Sequence, residues 1–340
     1  MEISVVSPNV HVLMYHDVRD ATDTAWPKRY ALRSFVSATA FHQHLDRITR
    51  LFTPVSLRQA LAILDGAEPA PRQRPAVLIT FDDGLADHAR VVAPMLRDRH
   101  LPACFFIPVT TTQTQDIMHT HKIQFILAAA ESEAAVVAAI FHEIDQLRSQ
   151  LHIRRSNAEI YEYYSASLHK DNWWSKDMIF VTRFLRSSLP DHHLGAIIDH
   201  LFDHFVTRDH ADFHQQLYLT PQEVKQMAAD GFDIGGHGYR SVNMAGRPIE
   251  DQYSDALASF EFLATMAPDY TRAGPVAMSY PNGGNDAVTR SAIAAAGFGA
   301  AFTIIKEPAT PRHERLQLPR WDGAQDDALI DAALTVAEAA

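Results

Sequence analysis

The stretch "AVLITFDDGLADH", Ala76 to His88, runs an unbroken apolar segment straight into two adjacent carboxylates, Asp82 and Asp83, and then a glycine. A short run rich in β-branched and aromatic residues, closed by Asp-Gly, predicts a buried strand ending in a tight turn. Two like charges side by side are costly unless they share a cation or one takes a proton. In an ordinary surface turn both would be solvated, and "DDG" alone is a common turn sequence. The apolar "VLIT" ahead of it makes this pair the end of a buried strand.

Working outward, strand-like runs recur as "VHVLMYH", "PAVLITF", "ACFFIPV", "FDIGGH", "VAMSYP" and "GAAFTII". They alternate with helical patterns such as "SATAFHQHLDRITRLF", "DHARVVAPMLRDRH", "TPQEVKQMAADG" and "NDAVTRSAIAAAGF". Strand, helix, strand, helix implies an α/β fold with a parallel sheet or barrel. Thr220, Pro221 and Glu223 mark one helix start, as a cap residue, a first-turn proline and a first-turn acid. The rhythm stops in the middle third, where "HKIQFILAAAESEAAVVAAIFHEIDQLRSQL" and "SKDMIFVTRFLRSSLPDHHLGAIIDHLFDHFV" read as helices without strands. The expected organisation is a barrel domain over residues 1–111 and 217–340 with a helical insertion or cap over 112–216. In parallel α/β folds ligands bind at the carboxyl ends of strands, so an insertion leaving after "CFFIPV" is placed to cover a site. The final "DDALIDAALTVAEAA" reads as a terminal helix. Trp173 and Trp174 of "NWWSKDM" suit a core, a sugar platform or an interface.

The chain has 340 residues, 47% hydrophobic and 21% charged, which gives a large core. Its formal charge of −11 argues against nucleic acid as a partner and favours a small substrate. No stretch approaches the roughly 20 apolar residues that span a bilayer. The opening "MEISVVSPNV" lacks a basic segment ahead of an apolar one, so a cytoplasmic location is expected. The single cysteine, Cys104, sits in "LPACFFIPV" and reads as a buried hydrophobe rather than a nucleophile. Histidine, with 19 copies, directs attention to metal and acid–base chemistry.

The second informative element is "DGFDIGGHGYRS", where a strand-like segment hands over His237 between glycines that leave room for a ligand. "TFDDG" followed by this G-x-x-I-G-x-H strand resembles the polysaccharide deacetylases, the NodB-homology group also called carbohydrate esterase family 4. The resemblance covers about Val10 to Phe106 and Leu217 to Asp322, not the helical insertion. It implies a distorted (β/α) barrel and metal-dependent removal of an N-acetyl group from an amino sugar. Asp82 is similar to the family's general base, Asp83 to its metal ligand and His237 to its first metal histidine. The implied cofactor is one divalent transition metal, with zinc as the first expectation.

The departures from the family pattern are specific. Where many relatives have a second metal histidine, this chain has Ser241, a poor zinc ligand. His119 and His121 in "IMHTHK" are candidates to complete the site, with His121 preferred and a solvated His-Thr-His as the alternative. The family's Arg-x-Pro-aromatic motif is "SYPNGG" here, with Ser279 in the arginine's place and Asn282 in the aromatic's. Tyr280, Asn282 and Arg320 are the expected substrate contacts: the Asn282 backbone N–H suits an oxyanion, and Arg320 of "LPRWD" either replaces the lost arginine or pairs with Asp322. The family's C-terminal histidine motif is missing after Gly297. The N-terminal "VLMYHDV" resembles it, which makes His16 the expected general acid, with a histidine that merely closes an edge strand as the alternative.

The leading expectation is a deacetylase acting on a nucleotide- or lipid-linked amino-sugar precursor of a surface polysaccharide. The alternatives are a degenerate barrel that binds sugar without turnover, an amidohydrolase for another small amide such as a formamide, and a partner-binding protein that uses its insertion. The sequence fixes no oligomeric state.

Overall fold

The computed structural model describes residues 9–32, 35–166 and 174–323. The expected terminal helix at 326–340 and Trp173 lie outside the described residues. The chain divides into two compact units, Met1–Asp20 with Phe35–Asp116 and His214–Ala340, and Ala21–Ser34 with Ile117–Phe213.

The first unit is a distorted, all-parallel (β/α) barrel. Its strands are β1 (Val10–Tyr15), β2 (Asp17–Val18), β3 (Phe35–Val36), β4 (Thr53–Pro54), β5 (Ala76–Phe81), β6 (Cys104–Ile107), β7 (Asp233–Gly236), β8 (Ala277–Ser279), β9 (Ala300–Phe302) and β10 (Trp321–Asp322). The main sheet runs β10-β1-β5-β6-β7-β8-β9, with β4 added beside β5, and β2 and β3 form a separate pair. Each of the six strand-like runs read from the sequence supplies one of its strands. Thr220 caps the helix Pro221–Ala229 as expected, exchanging hydrogen bonds with Glu223.

Side chains alternate across the sheet with period two. Val77, Ile79 and Phe81 pack outward with Phe41, Leu45 and Leu96 of the surrounding helices. Ala76, Leu78, Cys104, Phe106, Ala277, Phe302 and Leu318 form the inner cluster. Continuing that inner parity to the strand ends brings Thr80, Asp82, Ser279 and Arg320 onto one face. β1 and β5 pair in register from Val10↔Ala76 to Tyr15↔Phe81, so His16 and Asp82 leave the sheet side by side.

The glycines before His237 have a packing cause that differs from the expected one. A Cβ on Gly235 would stand 2.4 Å from the Phe106 ring, and one on Gly236 2.6 Å from Ser259 Oγ. They admit the barrel's own side chains, not a ligand.

The second unit holds helices His119–Ala129, Glu133–Leu147, Asn157–Ser165, Lys176–Ser187 and Asp191–Phe205, and no strand among the described residues. Phe125, Phe202 and Phe213 meet edge to face in its core. Among the described residues no helix is long and apolar enough to cross a membrane.

Candidate active site

Asp82 sits one residue past β5, 2% exposed, with its backbone N–H donating to the Tyr15 carbonyl at 2.9 Å. Burial of a carboxylate demands a partner. Arg320 supplies it from within the barrel, donating from its two terminal nitrogens to Oδ1 and Oδ2 at 2.8 Å each. The remaining guanidinium N–H groups reach the Thr303 carbonyl at 3.0 Å, Thr80 Oγ1 at 3.3 Å and Ser279 Oγ at 2.7 Å. Ser279 in turn donates to Asp82 Oδ2 at 3.0 Å. Burial would raise the Asp82 pKa. The charges of Arg320 and then His237, the Arg320 hydrogen bonds and the nearby His16 outweigh it and hold the carboxyl below its usual range.

Arg320 pairs with Asp82 rather than with Asp322. It is not placed to contact substrate, because it is buried and each of its guanidinium N–H groups is engaged inside the protein. Ser279, read from sequence only as a loss, bridges the pair, accepting from Arg320 and donating to Asp82.

Asp83 turns away from its neighbour through a left-handed backbone, φ 78°. That conformation is uncommon outside glycine and tolerated by Asp. It carries the Asp83 carboxylate to His237, with Oδ1 3.4 Å from Nε2. The other ring nitrogen, Nδ1, lies 2.9 Å from the Ser279 carbonyl, an acceptor, so it bears the proton and leaves Nε2 to face Asp83. Burial lowers the His237 pKa, but the Asp83 hydrogen bond and the charges of Asp82 and Asp83 overcome this and raise it. A site that attracts a proton between a carboxylate and an imidazole also attracts a cation.

The donor chemistry of Asp83 and His237 fits two zinc ligands. An imidazole oriented by a carbonyl on its far nitrogen is the usual supporting arrangement. Two donors about 2.0–2.1 Å from one tetrahedral ion stand roughly 3.3 Å apart, near the observed separation. Among the described residues no group of three His, Cys, Asp or Glu forms a complete cluster. Ser241 is half-buried with φ 53°. His121 is buried on the first turn of His119–Ala129, in the second unit.

His16 follows β1 half-buried, and its carbonyl accepts from His88 Nε2 at 3.0 Å. Asn282 is exposed in the turn Pro281–Gly283 with φ 55°. Tyr280 departs from expectation: it is 1% exposed in the outer core, and its hydroxyl donates to the Leu316 carbonyl at 2.9 Å. Burial raises its pKa. It is a packing residue, not a substrate contact. Cys104 is buried in the inner cluster, and burial pushes its thiol far up, so it is no nucleophile. His88 was not singled out from the sequence. Its signal is a histidine five residues after the aspartate pair, at the buried start of an amphipathic helix.

Residues 198–301 match the family model for polysaccharide deacetylase. Among solved structures, a Streptococcus pyogenes deacetylase, PplD, in complex with acetate is similar over 92% of each chain, at 14% identity and a TM-score of 0.56. IcaB from Ammonifex degensii is similar over 97% of this chain and 96% of its own, at 16% identity and a TM-score of 0.53. A de-N-acetylase from Aggregatibacter actinomycetemcomitans is similar over 96% of this chain and 99% of its own, at 15% identity and a TM-score of 0.53. No curated protein matches the sequence. At these identities the structures establish a shared fold, and the family-model match covers residues 198–301 of the 340.

Proposed function

We propose that the protein hydrolyses the N-acetyl group of an amino sugar, using one divalent transition metal, zinc in the first instance, held by Asp83 and His237. The carrying observation is the division of labour between adjacent aspartates: Arg320 clamps Asp82, while Asp83 is turned onto His237. A cation held there would polarise the amide carbonyl and raise the acidity of water.

The chain's own groups supply the rest. Arg320 keeps Asp82 ionised and aimed, and Asp82 Oδ1 keeps a lone pair to take a proton from water. His16 donates a proton to the departing amine. The Asn282 N–H, at the end of β8, is the proposed donor to the developing oxyanion. The Streptococcus pyogenes deacetylase with this fold is described in complex with acetate, which would be the product here.

The proposed substrate is a cytoplasmic, nucleotide- or lipid-linked precursor of a surface polysaccharide, a placement that cell fractionation tests. A second reading, a barrel that binds sugar without turnover, takes its support from Ser241 in the place of a ligand. The experiment is acetate release from N-acetylated sugar oligomers, nucleotide-linked N-acetyl sugars and N-formyl analogues, before and after chelation and zinc return. Release that needs the cation and is lost in Asp82→Asn supports hydrolysis. Sugar binding without release would establish the second reading. Cation titration of His121→Ala tests the sequence-based proposal of His121 as third ligand.

A further inference from the structure

We propose that His88 is a positioning residue for the reaction, holding the main chain of His16 in place through a hydrogen bond from its Nε2–H to the His16 carbonyl. This rests on the reading of His16 as the general acid. His88 is fully buried, packed beside the rings of Phe81 and Phe105 with centroids 5.3 and 5.5 Å away. Its Nε2 lies 3.0 Å from the His16 carbonyl, an acceptor, which assigns the proton to Nε2. Nδ1 is then bare, and it is buried with no hydrogen-bond partner among the described residues. Packing alone would be better served by phenylalanine, which has no nitrogen to desolvate. The imidazole stands at a site where, among the described residues, only its one N–H has a hydrogen-bond partner.

The surroundings give that bond a purpose. The ladder between β1 and β5 stops at Tyr15↔Phe81, so beyond it further contacts must hold the two segments together. Three contacts do so in succession. Asp82 N–H donates to the Tyr15 carbonyl at 2.9 Å, and His88 holds His16. Arg19 then forks onto Asp87 at 2.7 and 2.9 Å. The segment carrying the acid and the segment carrying the base are thereby one piece. His88 opens a single π turn, His88–Val92, a rare distortion that occurs often at functional sites. Burial pulls the His88 pKa down to about 4, so near neutral pH it is an uncharged single donor.

A displacement of about 1 Å in a reacting group can cost about 100-fold in rate. The test compares His88→Phe, which fills the space without a donor, with His88→Gln, which offers an amide N–H near the position of Nε2. We expect His88→Phe to lower kcat about 10–100-fold with KM nearly unchanged, and His88→Gln to recover most of that loss. Nitrogen-15 NMR of the imidazoles gives a readout independent of turnover. Wild-type His88 should be the Nε2–H tautomer with that proton protected from exchange, and the His16 signal should move in His88→Phe. A His88 Nδ1–H tautomer, an unshifted His16 signal, or equal loss in both variants would overturn the proposal. Should His88→Phe fail to fold, the wild-type tautomer and the glutamine variant decide. If wild-type protein releases no acetate while both NMR results hold, the functional reading fails and the contact stands.

Discussion

The guanidinium of Arg320 and the carboxylate of Asp82, 238 residues apart in the chain, meet in a fork of two 2.8 Å hydrogen bonds inside the barrel. Both side chains are essentially inaccessible to water, at 0% and 3% exposure. The pair sets the ionisation and the aim of Asp82 together, since planar Arg–carboxylate pairing fixes orientation as well as charge.

Arg320→Met should therefore leave a buried carboxylate unpaired, at a cost of about 3–5 kcal/mol. Adding Asp82→Asn should restore most of the stability and none of the activity. The pH dependence has a definite sign. The folded pKa of Asp82 is depressed, so its stabilising contribution is present above the unfolded value near 4 and is lost as pH falls below it. Urea midpoints from pH 7 to 3 should fall in wild type and flatten in the double variant. An unchanged slope would place the acid sensitivity elsewhere. Arg320→Lys should not rescue, because a single ammonium cannot satisfy both oxygens and Ser279.

The adjacent aspartates should separate in a binding experiment. Asp82→Asn should keep the cation and lose about 10²–10⁴ in turnover, the usual contribution of a general base. Asp83 has φ 78°, so Asp83→Gly removes the ligand without backbone strain, whereas alanine would add strain of its own. Asp83→Gly should fold and lose the cation, as read by calorimetric zinc titration. Equal cation loss in both variants would reverse the assignment.

The strands were legible because each is a short apolar run closed by a turn signal, and the aspartate pair because a buried strand delivers it. The pairing of Arg320 with Asp82 was not legible, since nothing local in "LPRWD" says that the side chain runs inward. Tyr280 was misplaced although its parity was readable. Ala277 and Ser279 face inward, so the next residue faces the helices. The glycines at 235 and 236 answer to Phe106 and Ser259, contacts made by distant segments that no local pattern contains. His88 is the same case, its partner being a main-chain carbonyl 72 residues earlier.

Asp233 offers a prediction away from the chemistry. It opens β7, 8% exposed, and its Oδ2 accepts from the Leu57 N–H at 2.8 Å at the start of the helix Leu57–Leu64. Burial raises its pKa to about 6, with the Leu57 hydrogen bond and Arg58 opposing only part of that shift. Folded protein thus holds a proton on Asp233 between about pH 4 and pH 6 that the unfolded chain has released. Stability must fall as pH rises through that window, by up to about 3 kcal/mol for a shift of this size. Asn keeps a carbonyl oxygen for the Leu57 N–H and carries no charge to bury. Asp233→Asn should therefore match wild type near pH 4 and exceed it at pH 7.5, gaining up to about 3 kcal/mol in urea unfolding with acetate release unaltered. A gain of the same size at both pH values would trace the effect to packing, and no gain at either would mean that Asp233 is ionised in the fold at no cost.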